Sequence, residues 1–151
     1  MPSDWNYSPP VLRALAFAVV ALLAPSCGGG SGGTVGGALP ACADEDRRAT
    51  IPAEFPKRVP LPPGTVFTDA QKIGPGQFHL RGIVAGDLDG VAGFFREQLP
   101  ERGFRLGRGD AEAHEQESPF TGHGYRGRWR VVKHPGDCPV VAVFVVLIRE
   151  A

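Results

Sequence analysis

The chain has 151 residues, the usual size of one domain, and its 16 Lys and Arg residues are balanced by 16 Asp and Glu residues. Proteins that bind duplex nucleic acid through its phosphates normally carry a basic excess, so the balanced charge argues against a nucleic-acid partner. Glycine and proline are concentrated between residues 28 and 63. The segment that packs a hydrophobic core is therefore expected to span 64–151.

The chain opens with an uncharged apolar run. Residues 14–24 read ALAFAVVALLA and follow Arg13, the first basic side chain. The run has the length of a signal-peptide core and is too short to cross a membrane as a helix. Its last residue, Ala24, is followed by Pro25 and Ser26, so three small residues precede Cys27. We therefore predict that residues 1–26 are a signal peptide and that the protein is exported.

The residues before Cys27 resemble the lipobox of bacterial lipoproteins, in which the cysteine receives a diacylglyceryl group and becomes the new N-terminus. Ser26 fits the position before that cysteine, whereas Ala24 and Pro25 depart from the usual choices. The resemblance implies that Cys27 is lipidated and anchors the protein on the extracytoplasmic face of the cell membrane. The alternative is ordinary signal cleavage, which gives a secreted protein with an unmodified Cys27.

The three cysteines are Cys27, Cys42 and Cys138. An odd number in an exported protein leaves one cysteine over, and a lipid on Cys27 leaves the other two as a pair. An oxidising compartment favours a disulfide between them. That bridge would close a loop of about 100 residues and stabilise the fold by about 4–5 kcal/mol in the chain-entropy account. Two free thiols are the alternative.

Residues 27–63 are predicted to hold the lipidated cysteine, a tether and a lead-in. Gly28–Gly37 has almost no side chains to bury, which is typical of a flexible tether. Five prolines between Ile51 and Thr65 predict a stiff, extended lead-in to the domain, because each proline fixes φ and removes a hydrogen-bond donor.

The domain itself begins with two predicted strands, over 65–68 and 77–86. The second alternates, with Phe78, Leu80 and Val84 on one face and polar side chains on the other. A helix is predicted next, from an N-cap at Asp87, with Pro100 ending or kinking it and Gly103 as its C-terminal glycine. Its apolar residues recur at helical spacing: Leu88, Val91, Ala92, Phe95 and Leu99.

The remainder is predicted to be strands joined by loops. Strands are expected over 104–108, 125–133 and 139–150, with a long polar loop over 109–124 and a turn over 134–137. The element order is β-β-α-β-β-β. We therefore predict an α+β domain in which one helix packs on one face of a small antiparallel sheet.

The last strand carries an unbroken apolar run, 140–148. Four alternate residues can face the helix: Val141, Val143, Val145 and Leu147. Four others then face the opposite way: Val140, Phe144, Val146 and Ile148. A strand that is apolar on both faces indicates cover on both faces. The cover on the second face is the Pro-rich segment, a second copy or partner protein, or an apolar ligand, and we favour cover from within the chain.

One strand brings several cations together. The candidate set for binding a ligand or partner is Arg126, Arg128, Arg130, Phe120 and Tyr125. Three guanidinium groups on one strand face can bind phosphate or carboxylate groups of lipid head groups or anionic wall polymers, and the two rings can stack on a sugar or base. The alternative is that the arginines pair with acids such as Asp110 and Glu112 on a neighbouring strand.

Motifs for catalysis and for metals are weak. The GHGYRG stretch has the glycine spacing of a dinucleotide site but is followed by a strand rather than a helix. EAHEQE supplies one histidine among carboxylates, fewer nitrogen and sulfur ligands than a transition metal usually takes. No nucleophile elbow is present. We expect no cofactor, no metal and no enzymatic activity.

Three segments together resemble small, uncharacterised lipoproteins of GC-rich Gram-positive (actinobacterial) cell envelopes. They are FFREQLPERGF (94–104), ESPF (117–120) and GRWRV (127–131). The resemblance implies an envelope location and a fold, without an activity.

The predicted function is a membrane-anchored, non-catalytic binding or scaffolding domain. Its partner would be an envelope protein or an anionic envelope polymer, and a homodimer is an option. One alternative is a secreted enzyme or enzyme accessory subunit that uses the 112–123 loop. The other is a self-associating structural component of the envelope.

Overall fold

The computed structural model describes residues 35–43 and 47–150. The predicted signal peptide and the predicted lipidation site at Cys27 lie outside the described residues. Within the described ranges, no helix is both long enough and apolar enough to cross a membrane.

Residues 66–149 form an antiparallel sheet of seven strands and one helix, so the predicted α+β class is confirmed. The elements are β1 (Val66–Gly74), β2 (Gln77–Ala85), α1 (Leu88–Glu101), β3 (Arg105–Leu106), β4 (Asp110–Ala111), β5 (Glu115–Gly122), β6 (Tyr125–Lys133) and β7 (Val140–Arg149). The strand order is β1-β2-β7-β6-β5-β3, and β4 also pairs with β5. The final strand of the chain is therefore central in the sheet.

Helix α1 begins and ends as the sequence predicts. The backbone N–H of Gly90 donates to Oδ1 of the N-cap Asp87 at 2.7 Å, which satisfies one of the free donors of the first turn. Pro100 lies in the last turn, one residue before the helix ends. Gly103 has a φ of 83°, a left-handed conformation that glycine adopts without strain, and it turns the chain into β3.

The apolar side of α1 packs over β5 and β6. Its buried residues are Val91, Ala92, Phe95 and Leu99. The ring of Phe95 stacks on Trp129 of β6 with ring centres 5.2 Å apart, and both side chains are almost fully buried. The four β7 residues predicted to face the helix side are likewise buried (Val141, Val143, Val145, Leu147).

The Pro-rich segment covers the β1–β2 half of the same face, so the prediction that the domain begins at Gly64 is wrong. Two successive turns start at prolines: the N–H of Phe55 donates to Pro52 O at 2.9 Å, and that of Val59 to Pro56 O at 3.0 Å. The turns direct the Phe55 and Val59 side chains into the core. Phe55 meets Phe78 of β2 edge to face, with ring centres 5.5 Å apart.

The predicted loop over 109–124 is also wrong, because it contains β4 and the eight-residue β5. The buried side of β5 carries Gln116 and Ser118 beside Phe120, so it lacks the apolar alternation that marks a half-buried strand. The strand is held to the helix by side-chain hydrogen bonds, which a hydrophobicity pattern does not show. Gln116 accepts from Arg96 and donates to Asp89 Oδ1 at 2.6 Å, and so links β5 to α1.

The structure joins Cys42 and Cys138 by a disulfide that spans 96 positions of sequence, with Cα atoms 5.8 Å apart. The bridge fastens the segment 38–43 to the loop that precedes β7. Ala43 packs with Ile83 and Val140 in a small separate apolar cluster. This cluster lies at one end of the sheet face that α1 does not cover.

Candidate functional site

The sheet face opposite α1 is the main candidate surface, and we call it the open face. Its centre is the outward row of β7: Ala142, Phe144, Val146 and Ile148, all half-buried. Cross-strand pairing places side chains of β2 and β6 beside this row, because residues opposite each other in a sheet point to the same side. In the part of the chain that the structure describes, the single helix lies on the other face. Cover from within the chain, favoured above, extends only to the Val140 end as far as residues 35–43 and 47–150 are concerned.

Arginine side chains partly cover the apolar row. The guanidinium groups of Arg81 and Arg130 lie 5.4 Å and 5.8 Å from the centre of the Phe144 ring, one from each neighbouring strand. Such contacts attract the cation to the ring face and let the methylene stems cover apolar surface. The open face therefore combines an apolar centre with a cationic rim.

The structure places Arg126, Arg128 and Arg130 together on the open face, and two of them are engaged by acids of β5. Nη1 of Arg128 lies 2.7 Å from Glu117 Oε1, and Arg130 pairs with Glu115. The hydrogen bond to Glu115 raises the pKa of the Arg130 guanidinium above its usual value. The predicted acid partners, Asp110 and Glu112, are therefore wrong, because β5 was expected to be a loop.

The spacing of these pairs explains why Arg126 differs from its neighbours. Each paired arginine reaches an acid one step diagonally across β5. The corresponding position for Arg126 is Pro119, which lies opposite Arg128 and has no charge. Among the described residues, Arg126 consequently has no hydrogen-bond or ion-pair partner.

The two aromatic members of the predicted set lie on the other face, so their expected place beside the arginines is wrong. Phe120 is 1% exposed and packs edge to face against Phe104. Tyr125 packs at the margin of the same core, with the Arg149 guanidinium 5.1 Å from its ring centre. The aromatic side chain that accompanies the arginines is instead Phe144.

Charge is distributed unevenly along the open face. The row through Ile148 continues across β6, β5 and β3 as Arg126, Thr121 and Arg105, without an acid. Acids lie toward the Ala142 end: Glu115 pairs in register with Val132, and Glu117 with Asp110. One end of the face is therefore cationic, and toward the other end carboxylates accompany Arg81 and Arg130. We refer to them as the cationic end and the acidic end.

The sequence missed Glu115, Glu117 and Arg105 as members of this surface. The sequence does contain a signal for the first two. Glu115 and Glu117 lie two residues apart before the tight turn at His123-Gly124, and arginines with the same spacing follow that turn. Both turn residues have positive φ, 53° and 73°, as a two-residue hairpin turn requires. The position of Arg105 on this surface depends on the register of β3, and no local sequence pattern indicates that register.

A cleft of about 720 Å³ lies where α1 and β7 begin, beside the disulfide. Its lining includes Asp87, Asp89, Glu112 and Lys133. The first two carboxylates are already used within the fold, as the helix N-cap and as the acceptor for Gln116. The other two charged side chains, Glu112 and Lys133, are exposed at the rim and have opposite charges.

In the segment 112–123, the Ser118 hydroxyl donates to the backbone carbonyls of Gly107 and Pro119, each at 3.1 Å. His123 ends the segment, and its Nε2 lies 2.9 Å from the Arg102 carbonyl, at the end of α1. His79 contacts Asp69, and Nδ1 of His134 contacts the Pro135 carbonyl. Within residues 35–43 and 47–150, no group of three or more His, Cys, Asp or Glu side chains is placed to hold a metal ion.

No protein-family model, curated protein or solved structure matches the chain.

Proposed function

We propose that the protein is a membrane-anchored envelope lipoprotein whose domain is a non-catalytic interaction module, and that it acts through the open face. The observation that carries this proposal is the half-buried apolar row of β7 between two arginine-bearing strands, with no helix of the described residues above it. Apolar centres with polar rims are the usual composition of protein interaction surfaces.

The form of the surface favours a macromolecular partner. Small-molecule sites are concave and bury most of their ligand, whereas the open face is one side of an antiparallel sheet. Arg81 and Arg126 flank the row from opposite sides without an acidic partner among the described residues, so their charges are available to a bound molecule. Arginine is also enriched in interaction surfaces because its planar group stacks and forms several hydrogen bonds.

Support for the anchor comes from the sequence. Cys27 follows a signal-peptide pattern, and the described chain begins eight residues later at Val35, which packs on the core. Eight extended residues span at most roughly 28 Å. A lipid on Cys27 would thus hold the domain, and its open face, close to the membrane surface.

In-cell photo-crosslinking tests this proposal. A benzophenone amino acid replaces Val146 at the centre of the row, or, as the control, Glu97 on the exposed side of α1. We expect a discrete crosslinked product from position 146 and none from position 97. Adding Arg81→Gln and Arg126→Gln should reduce the yield several-fold, because the flanking cations would be lost.

Crosslinks from position 97 but not from 146 would move the interaction surface to the helix side. No product from either position, with the protein folded and in the membrane fraction, would overturn the proposal.

A further inference from the structure

We propose that the disulfide controls how much of the open face is exposed: reduction by a protein dithiol releases the segment 38–43 and uncovers Ile83 and Val140. The inference rests on the proposed function, since it concerns regulation of the same surface. With the bridge intact, these two side chains are only 9% and 2% exposed, and Ala43 of the segment packs on both. The disulfide therefore holds a cover over apolar side chains of the open face.

The segment 38–43 has few other contacts with the domain. Its one backbone hydrogen bond among the described residues is internal, from the Ala43 N–H to the Pro40 carbonyl at 2.9 Å. Its apolar contacts with the sheet come from Leu39 and Ala43. Clefts of about 720 Å³ and 430 Å³ border it, so several of its residues face space rather than protein.

Conformational entropy favours release once the bridge is open. Fixing the backbone of a residue in one conformation opposes folding, and six residues are fixed here. The opposing contribution is the burial of one methyl group and part of a leucine side chain, which is smaller. We therefore expect the segment 38–43 to detach from the sheet in the reduced protein.

Release stays local because the chain is tied to the sheet on both sides of the segment. Before it, the Gly36 N–H donates to the Ala85 carbonyl at 3.2 Å. After it, the Ala49 N–H donates to the Phe67 carbonyl at 2.7 Å. Neither cysteine lies within a strand or the helix. Opening the bridge therefore frees a loop and leaves the strand pairing in place.

The two cysteines differ in exposure and in what holds them. Cys138 precedes Pro139, whose carbonyl accepts from the Gly86 N–H at 3.2 Å, so its loop remains on the sheet without the bridge. Cys42 is exposed, and it is the one that the thiol of another protein can approach. Reduction is therefore expected to begin at Cys42.

The reductant is a protein with two thiols, and the exchange is balanced. A thiolate of the reductant attacks Sγ of Cys42, the S–S bond breaks, and Cys138 leaves as a thiolate that takes up a proton. The second thiolate of the reductant attacks the mixed disulfide, and Cys42 leaves and takes up the second proton. Two electrons pass to the cysteine pair, and the reductant ends as a disulfide.

Release enlarges the apolar part of the open face. Val140 continues the outward row of β7 beyond Ala142, and Ile83 lies opposite Ala142 on β2. The row becomes longer by one position and gains an apolar neighbour on the next strand. The reduced protein should bind its partner more tightly, because more apolar area is removed from water on binding.

NMR relaxation of the full chain carrying Cys27→Ser tests the release, since the bridged pair then supplies its only cysteines. Reduction with dithiothreitol should lower the backbone order parameters of the segment 38–43 from about 0.85 to below about 0.6. The methyl resonances of Ile83 and Val140 should shift. Those of Ile148, at the far end of the row, are the control and should not move.

The rate of reduction shows whether the native protein is attacked. We expect a rate that is proportional to the dithiothreitol concentration and changes less than twofold in urea below the unfolding transition. A rate that levels off with dithiothreitol and rises steeply with urea would show that the bridge opens only after unfolding, and would overturn the inference.

Photo-crosslinking from position 146 tests the effect on the surface. Cys42→Ser with Cys138→Ser should raise the crosslink yield at least threefold, and dithiothreitol treatment of isolated membranes gives the same comparison without a substitution. A segment that stays ordered after reduction, or a yield that neither treatment changes, would overturn the inference. The proposed function would survive either result if position 146 crosslinks in the bridged protein. It would fail separately if no product forms from that position, even with the segment released.

Discussion

Gly127 lies in the middle of β6, between two arginines of the open face, and its missing side chain leaves room for the ring of Phe120. A β-carbon built at Gly127 would contact that ring and lie 2.7 Å from the Val146 carbonyl oxygen. The ring tip could shift only into a close-packed core, and the backbone oxygen belongs to the central strand. Glycine here is therefore required by packing, although its φ is ordinary for a strand.

We predict that Gly127→Ala lowers the free energy of unfolding by about 2 kcal/mol, the usual cost of overpacking, and lowers Tm by roughly 8–15 °C. Gly93→Ala is the matched control. Nothing lies within 4 Å of a β-carbon at Gly93 in α1, so alanine should stabilise the helix by about 1 kcal/mol. Urea unfolding of both variants measures the difference, and equal effects of the two would contradict the packing argument.

Among the helices and strands, the sequence predicts those whose apolar residues recur at the period of the element. The alternation in β2 and β6, the double-faced apolar run of β7 and the five-residue stripe of α1 each indicate the correct structure. Strand β5 gives no such signal. Pro119 interrupts it, and the polar side chains at its buried positions, Gln116 and Ser118, are satisfied by hydrogen bonds with distant residues. Local pattern cannot reveal partners that only the fold brings close.

The Pro-rich lead-in illustrates a second limit. Five prolines predict an extended segment. They can also form turns that direct single apolar side chains into the core, but whether such turns form depends on the sheet on which those side chains pack. Phe55 and Val59 fill the β1–β2 half of the core, and Lys72 of β1 donates to Glu54 at 3.0 Å. The same hydrogen bond holds the pKa of the Glu54 carboxyl below its ordinary value. The segment is therefore part of the domain.

We predict that Phe55→Ala lowers the free energy of unfolding by about 3 kcal/mol, since it removes a buried ring and leaves a cavity against Phe78. Arg58→Ala, in the next turn of the same segment, removes an exposed side chain and should change stability by less than about 0.5 kcal/mol. Urea unfolding followed by circular dichroism compares the two. A Phe55→Ala effect as small as the control would show that the lead-in does not contribute to the core.

For the molecule as a whole, the disulfide links the segment before β1, which holds Cys42, to the loop before the last strand, which holds Cys138. It also secures the segment that covers Ile83 and Val140. The pairing could be predicted from the count of cysteines together with the expected export and lipidation of Cys27. The charge asymmetry of the open face could not, since it depends on the register of four strands.

We predict that Cys42→Ser with Cys138→Ser lowers the free energy of unfolding by about 4 kcal/mol, the loop-entropy value for a closure of this length. The expected result is a fall in the urea midpoint that treatment of the native protein with a thiol reductant reproduces. The reductant should leave the double variant unchanged, which makes it the control. A reductant that shifts both proteins equally would show that the bridge is not the cause.

The anchor is tested by the mass of the whole protein. If Cys27 is lipidated and the other two cysteines are bridged, the protein from the native membrane fraction should match the chain from Cys27 plus acyl groups, less two hydrogens. Reduction should add two hydrogens and leave the acyl mass in place, because a thioether-linked lipid is not reducible. Cys27→Ser should remove the acyl mass and shift the protein out of the membrane fraction, since a stable anchor depends on its acyl chains.

An unmodified mass in the culture medium would contradict the anchor. The open face would then belong to a freely diffusing protein.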